Sequence, residues 1–63
     1  MTQPIRVTIA KEMLKVANAI DDRETSTACR GIIYDWELGR KHKREDYQIV
    51  LAFYAALQLL EGE

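Results

Sequence analysis

Apolar positions recur at helical spacing in three stretches of the chain, separated by polar runs. In the first, Ile9, Met13, Val16 and Ile20 lie four, three and four residues apart, with Ala17 on the same stripe and Lys11, Lys15 and Asn18 opposite. This spacing predicts a helix over about 9–21, with Thr8 as a candidate N-cap. Residues 21–26, DDRETS, carry no apolar side chain and read as a connection in which Thr25 or Ser26 caps the next helix. That second helix, about 26–38, gathers Ala28, Cys29, Ile32, Ile33 and Trp36 on one face, and Gly39 follows where a left-handed C-terminal cap belongs. Arg40, Lys41, His42, Lys43 and Arg44 come next, then Glu45 and Asp46 open a third helix over about 45–61. Cations after one helix and carboxylates at the start of the next complement both helix dipoles. The expected fold is all-α, three short helices in a single small domain spanning 1–63, within an oligomeric helical assembly.

The third helix is apolar nearly all round. Ile49, Val50, Leu51, Phe53, Tyr54, Leu57 and Leu60 cover more than half of its circumference, and Ala52, Ala55, Ala56 and Leu59 most of the rest. A helix of this kind is normally buried on more than one side, yet two short partner helices cover only one. The alanine face reads either as an inexpensive exposed surface or as a seam for a second helix. Leu51 and Leu59 flank it, which favours the seam. Ile49, Ala52, Phe53, Ala56 and Leu59 are therefore the expected oligomer interface, with a homodimer as the first expectation.

Composition sharpens this picture. The chain has 63 residues, 48% apolar and 30% charged, with a net charge of −1. A core of this size supplies only ~3–5 kcal/mol by itself, so disulfides, metals or association usually add to it. With one cysteine, Cys29, and one histidine, His42, the sequence offers neither an intramolecular disulfide nor a four-ligand zinc set. A lone thiol fits a reducing compartment, and MTQPIRVT lacks the apolar run of a signal peptide, so a cytoplasmic protein is expected. The longest apolar stretch, Ile49 to Leu60, is shorter than the ~20 residues of a membrane span.

Candidate chemistry is sparse. Cys29 shares a face with Ile33 and Trp36 and reads as a buried structural thiol. Asp35 and Glu37, two apart on a helix, point in different directions and make no carboxylate pair. Three scattered glycines form no phosphate-binding loop. The expectation is a protein that is not an enzyme, with no cofactor and no evident small-molecule substrate. Tyr34 and Leu38, with Arg40, Lys41, Lys43 and Arg44, form the expected partner surface, and a protein partner is favoured. The basic run also suits phosphates, but Asp35, Glu37, Glu45 and Asp46 bracket it, and a duplex binder carries far more excess positive charge.

A second expectation comes from the amino-terminal segment. Ile5, Arg6, Val7, Thr8 and Ile9 alternate apolar and polar, the pattern of a short half-buried strand. Followed by an amphipathic helix, a polar connection and another helix, the first 40 or so residues resemble the ribbon-helix-helix family of DNA-binding repressors. The resemblance implies a dimer whose paired strands enter the major groove, with Arg6 and Thr8 as base readers. It also implies phosphate contacts at Thr25 and Ser26. The leading reading is a small self-associating helical regulator, inhibitor or adaptor that binds another macromolecule, and the alternative is a ribbon-helix-helix repressor.

Overall fold

Pro4 starts the first helix. Its φ of −61° suits a helix entrance, and its carbonyl accepts the N–H groups of Val7 (3.0 Å) and Thr8 (3.2 Å). The computed structural model describes residues 2–62 and contains α1 (Ile5–Ala19), α2 (Arg23–Glu37) and α3 (Arg44–Glu61), with no strand among the described residues. The all-helical fold is as the periodicity predicts. Residues 5–9 depart from the strand expectation, because they form the opening turns of α1.

The reason lies in which period buries more. Val7, Ala10, Met13 and Ala17 are the buried residues of α1, three, three and four apart, whereas Ile5 is 74% exposed. A helix joins Val7 to that stripe, and a strand would not. Ile20 follows the last residue of α1 as its C-cap and is exposed, correcting its expected place in the core. Gln3 secures the lead-in. Its amide donates to Thr8 Oγ1 (2.9 Å) and accepts from Lys11 Nζ (2.7 Å).

The connection from α1 to α2 is shorter than DDRETS suggested, only residues 20–22. Asp21 takes φ +58°, and the Asp21 and Asp22 N–H groups donate to the Asn18 and Ala17 carbonyls. This is a left-handed C-terminal cap of the kind usually made by glycine, and aspartate is among the few side chains that tolerate it. Asp22 then caps α2. It accepts the Thr25 N–H (3.1 Å) through Oδ1 and the Thr25 hydroxyl (2.9 Å) through Oδ2. The cap is therefore Asp22, and not Thr25 or Ser26, which are buried one turn inside the helix. Ser26 donates instead to Asn18 Oδ1 (3.0 Å), tying α2 to α1.

α2 ends as its sequence predicts. Gly39, at φ +74°, donates to the Trp36 carbonyl, and Arg40 N–H to the Asp35 carbonyl (2.7 Å). Val7, Ala10, Met13, Ala28, Cys29, Ile32 and Val50 form the core, with half-buried residues such as Trp36, Tyr47, Phe53 and Leu57 around it. Six of those seven come from α1 and α2. Val50 is the one fully buried residue of α3.

Candidate functional site

α3 lies antiparallel to α2. Asp46 sits over Gly31, where an added Cβ would meet its Oδ2 at 2.5 Å, and seven residues along each helix Phe53 and Glu24 border one groove. From Gly31, α2 has eight residues left before Arg23, while α3 has fifteen left after Asp46. Counted from that contact, the last seven residues of α3, about 10 Å of helix, form an overhang beyond the length of α2, within which Leu57 still packs on the core. Within that overhang Leu57 stays half-buried, and Ala55, Ala56, Gln58, Leu59, Leu60 and Glu61 are exposed. Leu59 and Leu60, at 75% and 73%, are among the most exposed large apolar side chains of the molecule.

The groove beside the overhang has a volume of about 640 Å³ and is lined by Glu24, Thr25, Glu45, Gln48, Ile49, Ala52 and Phe53. Three of the five expected interface residues, Ile49, Ala52 and Phe53, thus share one concavity. Ile49 and Phe53 also reach the core with part of their surface. Ala56 and Leu59 continue the face along the overhang. The feature that periodicity could not supply is the overhang itself, because it depends on where α2 begins, and that follows from Asp21 and Asp22.

The expected partner surface is only partly assembled. Tyr34, Arg40, Lys41 and Lys43 line a second groove of about 530 Å³ with Gly31, Asp35 and Asp46. Tyr34 and Leu38 are 65% and 61% exposed, but Leu38 and Arg44 stand outside that lining. Arg40 is committed within the fold, since its Nη2 lies 3.2 Å from Asp35 Oδ1 and its backbone N–H bonds the Asp35 carbonyl. Lys41, Lys43 and Arg44 are exposed and form no ion pair among the described residues. His42 packs edge-on against Tyr47, with ring centroids 5.2 Å apart.

The residues of the DNA-binding alternative are dispersed. Arg6 and Thr8 lie in the first turns of α1, and the Thr8 hydroxyl is held by Gln3. Thr25 and Ser26 are 4% and 6% exposed, with both hydroxyls donated to internal acceptors.

Cys29 is a free, buried thiol. Burial, with the Asp22 carboxylate nearby, pushes its thiol up to about 11 from an ordinary 9.0. Such a thiol stays protonated and unreactive at neutral pH. Among the described residues no group of three or more His, Cys, Asp or Glu is placed to hold a metal ion. No helix of the structure is long and apolar enough to cross a membrane. No known protein family, curated protein or solved structure matches this chain.

Proposed function

We propose that the protein is a small, non-enzymatic, cytoplasmic regulator or adaptor that works as a homodimer and binds another macromolecule. The observation that carries this reading is the uncovered apolar face of α3, where Ala52, Ala56 and Leu59 are exposed beside the Ile49–Phe53 groove. Exposed apolar surface of this continuity commonly marks an interaction site. Tyr34, Leu38, Lys41, Lys43 and Arg44 are exposed as well and remain available to the further partner.

Sedimentation tests the reading. The native chain is expected to run at twice its mass, and Ala56→Glu to run as a monomer with its helical circular dichroism retained. A native chain that stays monomeric, or an Ala56→Glu chain that keeps the dimer mass, overturns it. Capture from a native lysate at two salt concentrations then addresses the partner. A protein released by Lys41→Glu/Lys43→Glu supports the proposed surface. Sequence-specific DNA lost on Arg6→Ala favours the ribbon-helix-helix alternative, in which residues 5–9 leave α1 and pair with a second chain.

A further inference from the structure

We infer that the cleft between the end of α1 and the first turns of α2 binds a phosphate group through Arg23 and Arg30. The cleft has a volume of about 280 Å³ and is lined by Asn18, Asp21, Arg23, Ser26, Thr27 and Arg30. That is below the ~300–1,000 Å³ of pockets for larger organic ligands, and it suits a group of few atoms. No residue of α3 lines it, so the site is independent of the apolar face and of the dimer reading. Arg23 and Arg30 are seven residues apart, two helical turns, which stacks them on one side of α2 about 10 Å apart along the axis. Thr27 falls between them on the same side, and Asn18 enters from the last turn of α1.

The cleft offers more donors than acceptors. Neither guanidinium forms an ion pair among the described residues, although a carboxylate shares the cleft with them. Asn18 accepts the Ser26 hydroxyl through Oδ1 at 3.0 Å, which orients its amide and leaves the N–H donors open. The Thr27 hydroxyl is also open among the described residues. Asp21 is the one carboxylate of the lining, so two arginines leave one net positive charge. Asp22 is turned to Thr25 and Glu24 lines the Ile49–Phe53 groove instead. The site rests on side chains, because Asp22 already accepts the Thr25 N–H at the helix end. Arginine meets phosphate with two parallel N–H bonds, and such charged bonds are stronger than neutral ones. Two guanidiniums in one cleft repel, and a phosphate monoester, with a charge of about −1.5 to −2, offsets both. Asp21 is the remaining acceptor. It suits a phosphate carried beside an N–H or O–H donor, as in a phosphoserine, and disfavours an unbroken run of phosphates.

An NMR titration of the full chain at constant ionic strength tests the site, with N-acetyl phosphoserine amide, its unphosphorylated counterpart and inorganic phosphate as probes. The amide signals of Asn18, Thr27 and Arg30 are expected to shift saturably with the phosphoserine compound and not with the serine one. Arg23 and Arg30 are exposed, so Arg23→Gln and Arg30→Gln should keep native helical circular dichroism. Each is expected to weaken binding about fivefold or more, whereas Lys41→Gln/Lys43→Gln leaves it unchanged. Ala56→Glu should bind as the native chain does, which separates this outcome from that of the dimer test. Tighter binding of the phosphoserine compound than of inorganic phosphate supports the role of Asp21. Equal binding overturns that role and assigns the cleft to the free ion. Absence of saturable shifts, affinity unchanged in both arginine variants, or an equal loss in Lys41→Gln/Lys43→Gln overturns the site.

Discussion

The α1–α2 hairpin and α3 are built to different rules. In the hairpin, small residues bring two helices close, both ends of α2 are capped, and buried hydroxyls find internal acceptors. No buried side-chain polar atom among the described residues lacks a partner. α3 has Lys43 at its N-cap without a side-chain cap bond, one fully buried residue, and three exposed leucines. The hairpin supplies six of the seven core residues, and α3 adds Val50, packs Tyr47, Ile49, Phe53, Tyr54 and Leu57 against that core, and leaves its alanines and last leucines outward. On the homodimer proposed above, the first region carries stability and the second association.

The strongest way to break that contrast is to compare truncations in the two regions. Ile32 is fully buried, so Ile32→Ala is expected to lose ~2–5 kcal/mol, comparable to the whole stability of a chain this small. Leu59→Ala should leave monomer stability within ~0.5 kcal/mol and act on the dimer mass instead. Urea melts under monomeric conditions measure both, and a large loss from Leu59→Ala would erase the distinction. Next in size is Asp22→Ala, which removes the acceptor of two Thr25 bonds and should lower the melting midpoint by an equivalent of ~1–2 kcal/mol.

The smallest effect is a pH dependence seated in the hairpin. The folded Cys29 thiol titrates at about 11, above its ordinary 9.0. The unfolded chain therefore releases that proton first, so stability is intact below pH 9 and declines as pH rises from 9 to 11. Comparing thermal melts across that range, Cys29→Ala should show a shallower decline than the native chain. Equal slopes would remove burial of the thiol from the account.

Much of this was legible in the residues. The buried face of α2, the Gly39 cap and an α3 too apolar to be covered all follow from helical spacing and one glycine. What was not legible has physical causes. The alternation at 5–9 is satisfied by a strand or a helix, and only the burial of Val7 with Ala10 and Met13 decides. Asp21 does the work of the glycine that DDRETS lacks, and no period betrays an aspartate at positive φ. The groove and the overhang arise from the relative lengths and levels of α2 and α3, which spacing along one helix does not encode.

The three-residue connection at 20–22 also sets an order of events. Contacts across it are local, so the hairpin closes at little loop entropy and its pairing forms early. α3 joins through the longer segment 38–43 and has only Val50 fully buried, so it is expected to open at a lower free energy than the hairpin. Amide exchange would accordingly run fastest along α3 while the hairpin stays protected. In the homodimer proposed above, subunits are accordingly expected to exchange faster than either one unfolds.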